Sequence, residues 1–213
     1  MKISKIEILN TSRTLFNQRG LTAVTVRIIS AELKISPGSF SYHFPDKRRI
    51  ITELYRTMAS EMQECMKSLD NEKIGITTFL STFEKFAFVQ LKYKFFFLNL
   101  FDILSDFPAI KQLHLKALTR ERAQSKELFT TYKRNGVFTD AATEKELKSI
   151  LRLSQILFAY WVIDAELKNF ESERQKVRFY AQVCSAPIQP FLSENSKTEY
   201  QDYFKLQEMK PIN

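Results

Sequence analysis

The stretch TVRIISAELKISPGSFSYHFPDK, Thr25 to Lys47, limits what this chain can fold into more than any other. An apolar-periodic segment from Val26 to Leu33 meets a tight break, and a second short segment opens at Ser36-Pro37. A serine can accept from the free N–H groups of a helix start, and a proline at the first helical position gives up no hydrogen bond. Two short helices around a tight turn make a helix-turn-helix, whose second helix can enter the major groove of DNA. The second segment, Pro37 to about His43, is poor in aliphatic residues. It is rich instead in small hydrogen-bonding groups: Ser36, Gly38, Ser39, Ser41, Tyr42 and His43. That composition suits a surface that reads a polar partner better than one that fills a core.

Charge follows the same stretch. Of the net charge of +8, residues 1–56 hold ten lysines and arginines against four acids, which leaves six positive charges in about a quarter of the chain. A local basic excess beside a helix-turn-helix points to nucleic acid. The cluster Lys47-Arg48-Arg49 ends the motif, and Lys47, at a helix start, is placed to meet a phosphate.

The rest reads as helix. Four glycines and six prolines in 213 residues, with helix-period apolar patterns throughout, predict an all-α protein of about nine helices. Ser4 and Glu7 have capping-box spacing and open the first helix, with Gly20 as its stop. Thr25 caps the second helix, and Asp46 caps a fourth that runs toward Leu69. The polar run 68–75 sets a boundary between an N-terminal domain, residues 1–68, and a larger helical domain, residues 69–213. A fifth helix follows around Phe79 to Gln90, a sixth over Phe95–Leu104, and a long seventh over Ile110–Arg134. Thr143 and Glu146 form a second capping box and open an eighth helix reaching to about Asn169. That helix carries two stripes, one through Leu147, Leu151, Ser154, Phe158, Trp161 and Ala165, the other through Ile150, Leu153, Leu157, Tyr160 and Asp164. A helix apolar on two sides needs covering on two sides, so one stripe is expected to meet a second subunit. The ninth helix starts at Glu173, and the polar tail after Ser193 is expected to be loosely held.

The chemistry of catalysis is missing from the sequence. His43 and His114 are the sole histidines, without a cysteine or carboxylate cluster of metal-ligand spacing, so no metal site is expected. There is no local Ser/His/acid arrangement and no glycine-rich phosphate loop, so neither an enzyme nor a cofactor is expected. Cys65 and Cys184 read as reduced thiols. The N-terminus alternates polar and apolar residues, unlike a signal peptide, and no apolar run is long enough to span a bilayer, which predicts a cytoplasmic protein without a membrane partner. Nineteen phenylalanines favour an apolar small molecule if the larger domain holds a cavity. Phe83, Phe86, Phe97, Phe101, Tyr160 and Trp161 are the candidate lining, with Gln90, Asn99, Asp102 and Asp164 as polar groups to orient a ligand. For any one of these aromatics, plain core packing is the ordinary role.

The first fifty or so residues resemble the TetR family of bacterial transcriptional regulators. The resemblance is carried by Ile8-Leu9, Leu15-Phe16, Gly20, Thr25-Val26, Ile29, Leu33, Ile35-Ser36, Gly38-Ser39-Phe40, Tyr42-His43-Phe44-Pro45 and Lys47, without a gap. It implies a homodimer, joined through the last two long helices, that binds a palindromic operator in double-stranded DNA. It further implies a repressor released by a small effector held in the larger domain. By position, Arg27, Ser36, Pro37, Gly38, Ser39, Ser41, Tyr42, His43 and Lys47 correspond to DNA-facing positions of the family. Arg27 and Ser39 suit base edges, and Tyr42, His43 and Lys47 suit phosphates. Two positions depart from the pattern: Lys34 stands where the family has a turn glycine, and Ser41 where it commonly has tyrosine. A second reading from another class is a helical interaction module of the same fold without specific operator binding.

Overall fold

The computed structural model describes residues 3–67 and 74–205, and within them the chain is helical without a strand. In order, the helices are α1 (Lys5–Arg19), α2 (Val26–Glu32), α3 (Pro37–His43), α4 (Lys47–Lys67), α5 (Ile76–Lys92), α6 (Lys94–Leu98), α7 (Leu100–Asp106), α8 (Pro108–Arg134), α9 (Glu144–Ala165), α10 (Glu173–Ser185) and α11 (Glu194–Lys205), with a 3-10 helix at Ala186–Phe191. The all-α architecture is as expected. The expected boundary near residue 68 and the end of the fourth helix at Leu69 fall in 68–73, outside the described residues.

Local chemistry sets the helix ends. Ser4 and Glu7 form a reciprocal capping box at α1, and Thr143 and Glu146 form another at α9. Asp46 accepts from the Arg49 N–H at 2.8 Å and starts α4. Gly20 stops α1 with φ 80°, a left-handed conformation that costs glycine nothing.

Two elements differ from expectation. The helix expected over Phe95–Leu104 is broken into α6 and α7 at Asn99. The Asn99 side-chain amide donates to the Phe95 carbonyl at 2.7 Å, and its backbone leaves the helical region at φ −122°, ψ 25°. An asparagine offering its own side chain to the backbone competes with the helix in this way. The tail after Ser193, expected to be loose, forms α11 instead. Its polar composition hides a narrow inward stripe, Ser196, Tyr200 and Phe204, all buried. Arg178 fastens it by donating to the Tyr203 carbonyl and lying over the Phe204 ring at 5.8 Å.

The chain forms two compact units. One comprises the residues up to Glu61 together with Lys92–Leu115; the other comprises Met62–Leu91 and the chain from Lys116 onward. In the first, Ile8, Leu15, Phe16, Ile29, Phe40, Ile50 and Leu54 are buried with Tyr93, Phe95, Phe96, Ile103 and Ile110. Phe16 meets Phe95 at 5.2 Å, and Tyr55 meets Phe96 at 5.1 Å. Asn17 of α1 uses both ends of its amide on the α5–α6 corner, donating to the Lys92 carbonyl at 3.0 Å and accepting from the Phe95 N–H at 3.0 Å. On the α4 side, Glu61 accepts from Tyr93 Oη at 2.8 Å and Lys92 Nζ at 2.7 Å. Burial, then the Glu61 carboxylate, pushes the Tyr93 phenol up to about 12.

In the second unit, Ile76, Leu80, Val137, Leu147, Ala181, Ile188, Leu192, Tyr200 and Phe204 belong to one apolar cluster. Of the predicted stripe Leu147, Leu151, Ser154, Phe158, Trp161 and Ala165, Leu151 and Phe158 are half-buried and the other four are buried. Neither cysteine forms a disulfide, and burial pushes the Cys184 thiol up to about 12, which leaves it unreactive.

Phe204→Ala is expected to cost about 3 kcal/mol in urea unfolding, because a buried phenylalanine leaves a cavity; a loosely held tail would give no change. His114 packs against Tyr55 and Phe96, its Nδ1 3.4 Å from Tyr55 Oη, and burial holds its pKa below the ordinary 6.5. The folded state therefore disfavours the imidazolium, so stability is intact above pH 6.5 and falls as pH drops from there through the lowered folded pKa. In thermal unfolding, His114→Gln is expected to lose that part of the acid sensitivity.

Candidate nucleic-acid interface

The helix-turn-helix is built from backbone chemistry inward. Thr25 Oγ1 accepts from the Ile28 N–H at 3.3 Å and opens α2. At its other end the Lys34 N–H bonds the Ala31 carbonyl at 3.1 Å, and the Ile35 N–H bonds the Ser30 carbonyl at 3.0 Å. This is a Schellman closure, which requires a left-handed residue at its corner. That residue is Lys34, at φ 55°, the sole non-glycine with positive φ among the described residues. A residue with a Cβ loses about 1–2 kcal/mol there. A cation at a helix C-terminus recovers about 0.3–1 kcal/mol, so lysine is not the residue that stability alone favours.

Ser36 then caps α3, accepting from the Ser39 N–H at 3.1 Å, with Pro37 at the first helical position. Only Phe40 of this helix is buried, and Phe44 just after it is buried too. They anchor α3 against the unit and turn Pro37, Gly38, Ser39, Ser41 and Tyr42 to solvent. Tyr42 is 79% exposed, and its ring meets His43 edge-on at 5.1 Å. A Cβ at Gly38 would meet nothing nearer than Ser36 Oγ at 3.8 Å, so the fold itself has room for a side chain there.

The basic cluster is placed differently from a solvated patch. Lys47 Nζ donates to the Leu21 carbonyl and lies 5.6 Å from the Phe16 ring, and burial lowers its pKa. Arg48 donates to the Asp106 carbonyl and stacks over Phe107 at 4.7 Å. Arg49 pairs with Glu53 at 3.2 Å. Each of the three spends part of its bonding capacity on a partner in its own chain, although Arg48 and Arg49 stay exposed. The side chains of Arg27 and Lys34, by contrast, are exposed and carry no hydrogen bond or ion pair among the described residues.

The six aromatics expected to line an effector pocket are not gathered in one place. Phe83 and Phe86 both meet Phe158, at 4.1 and 6.3 Å. Trp161 is buried nearby in sequence, donating from Nε1 to Gln90 and stacking on Tyr180 at 5.0 Å. Tyr160 is 60% exposed on the outer side of α9. Phe97 and Phe101 belong to the other compact unit, and Phe101 is 82% exposed. Three of the four polar groups expected to orient a ligand have protein partners: Gln90 also donates to the Phe158 carbonyl at 3.1 Å, Asn99 donates to the Phe95 carbonyl at 2.7 Å, and Asp164 accepts from Tyr180 Oη at 2.6 Å; Asp102 is exposed in the other unit. Two hydroxyls outside the expected lining, Thr82 on α5 and Ser154 on α9, are buried without a hydrogen-bond partner among the described residues. The one signal for Ser154 is that it interrupts an apolar stripe. A depression of about 470 Å³ at the start of α9 is lined by Thr143, Lys145, Glu146, Ser149 and Ile150, none of them in the aromatic set.

Among the described residues no group of histidines, cysteines and carboxylates could hold a metal ion, and no helix is long and apolar enough to cross a membrane.

Comparison with known proteins agrees with this geometry. Residues 8–54 match the family described as bacterial regulatory proteins, tetR family, and residues 57–200 match its companion, the TetR bacterial transcriptional repressor. No sequence among curated proteins matches the chain. A solved TetR-family transcriptional regulator from Marinobacter aquaeolei VT8 is similar over 94% of this chain and 98% of its own, with 20% identity and a TM-score of 0.83. The ketosteroid transcriptional regulator KstR2 of Mycobacterium tuberculosis is similar over 91% and 97%, with 16% identity and a TM-score of 0.70. The SmeT–triclosan complex is similar over 90% and 93%, with 10% identity and a TM-score of 0.60. At these identities the structures establish the fold alone; the sequence matches carry the assignment and extend it past the helix-turn-helix into the larger helical part. The chain belongs to the TetR family of bacterial transcriptional regulators.

Proposed function

We propose that the protein is a homodimeric repressor that binds a palindromic operator and is released by a small apolar effector. The observation that carries this reading is α3 itself, anchored by Phe40 and otherwise open to solvent. Arg27 and Ser39 read base edges; Ser36, Pro37, Gly38 and Ser41 allow close approach; Tyr42, His43 and Lys47 meet phosphates. Lys47 does so with the N–H bonds left over from its contact to Leu21, since an ammonium has three donors.

Support for a dimer comes from α9. Leu153, Ile156, Tyr160, Ile163 and Leu167 are exposed large apolar residues spaced alternately three and four apart. That is the spacing of a helix–helix seam, and exposure of such a stripe marks a surface awaiting a partner. The second stripe expected from sequence ran through Ile150, Leu153, Leu157, Tyr160 and Asp164; the outward seam shares Leu153 and Tyr160 with it but takes Ile156 and Ile163 in place of the half-buried Leu157 and the polar Asp164. Two-fold symmetry sets the reading helices roughly 34–36 Å apart, or a multiple of that. The effector site is best supported between α5 and α9, where Phe83, Phe86 and Phe158 meet and Thr82 and Ser154 supply unpaired hydroxyls. A regulator whose structure holds triclosan shares this fold, which fits an apolar effector.

The test is competition binding to DNA from upstream of the protein's own or a neighbouring gene across a salt series. A repressor prefers one duplex over random sequence at every salt; an interaction module without operator recognition shows no preference. Gly38→Ala is expected to stabilise the fold by about 0.5–1 kcal/mol, as alanine does over glycine in a helix, while weakening operator binding. Unchanged binding would remove Gly38 from the interface. Ile156→Glu is expected to yield monomers by sedimentation and to weaken operator binding with it. A dimer of unchanged mass would place the interface elsewhere.

A further inference from the structure

The strained lysine of the turn has a use that stability does not explain. Lys34 holds a left-handed backbone at φ 55° in a corner where glycine or asparagine would sit without strain. Its side chain is exposed, and neither it nor Arg27 has an internal partner among the described residues. The neighbouring cations differ: Lys47, Arg48 and Arg49 are engaged with Leu21, Asp106 and Glu53. Arg27 lies in the first turn of α2 and Lys34 just past its end, about 10 Å apart along the axis at the rise of an α-helix. The first helix of a helix-turn-helix is the one that crosses the DNA backbone.

We propose that Lys34 is a phosphate-contacting residue of the DNA interface, so that the two uncommitted cations of the motif divide the work, Arg27 meeting a base edge from the start of α2 and Lys34 meeting the backbone just past its end. The ammonium donates a charge-assisted hydrogen bond to a phosphate oxygen and displaces a condensed counterion. The contact carries no base information, so it raises affinity for every duplex alike. The strain at the turn is retained because a glycine there would remove the charge. This inference rests on the DNA-binding reading above.

The test is fluorescence anisotropy of a labelled mixed-sequence duplex, titrated with the full-length protein over a range of salt. Each phosphate neutralised contributes about 0.9 to the slope of log K against log salt. Lys34→Gly and Lys34→Asn are each expected to reduce the slope by about that amount, with an unfolding temperature equal to or above wild type. Lys34→Arg is expected to keep the slope. Lys145→Gln, which removes an equal charge from α9, is expected to leave it unchanged. A slope unaltered in Lys34→Gly, or altered equally in Lys145→Gln, overturns the inference while leaving DNA binding in place. Wild-type protein with no salt-dependent binding at all overturns both.

Discussion

The packing of Phe95 and Phe96 against Phe16 and Tyr55 is the contact on which the DNA-reading unit depends. α2 and α3 are seven residues each, too short to hold their own shape in water. They are held by packing on α1 and on each other, and α1 in turn rests on the segment after Tyr93 through the Phe16–Phe95 contact. Asn17 fixes this segment to α1 through both ends of one amide, and Glu61 fixes the same corner to α4. Arg48 adds a third tie, from the start of α4 to the Asp106 carbonyl and the Phe107 ring. The α1 and α4 frame of this unit is thus tied down by residues far from it in sequence.

The same arrangement divides the basic residues by task. A cluster of three cations after the motif looks in sequence like one electrostatic patch. In the fold, Lys47 lies over an aromatic ring with its ammonium on a carbonyl, Arg48 stacks on Phe107, and Arg49 pairs along its own helix. Arginine and lysine stems cover apolar surface as readily as they carry charge, so their position in a run does not reveal their use. The charge left for a duplex moves toward α2.

What could be read from sequence follows the range of the interaction that decides it. Caps act within three residues, and so Ser4, Thr25, Ser36, Asp46 and Thr143 placed five helix starts correctly. The outward face of α3 was legible because a helix carrying Ser39, Ser41 and Tyr42 around a single Phe40 has one apolar side. The break at Asn99 turned on one side chain choosing a carbonyl four residues back, which periodicity does not register. α11 was hidden because Tyr200 and Phe204 make a stripe too narrow to lift a polar segment. The aromatic set failed to converge for a different reason: phenylalanines near one another in sequence, such as Phe86 and Phe97, lie in different compact units.

On the proposed function, the exposed face of α3 touches the bases. Photo-crosslinking to a duplex carrying bromodeoxyuridine in the preferred site, followed by mass spectrometry of the joined peptide, tests it most directly. Crosslinks are expected within 36–43, whereas crosslinks confined to α8 or α9 would take α3 off the bases.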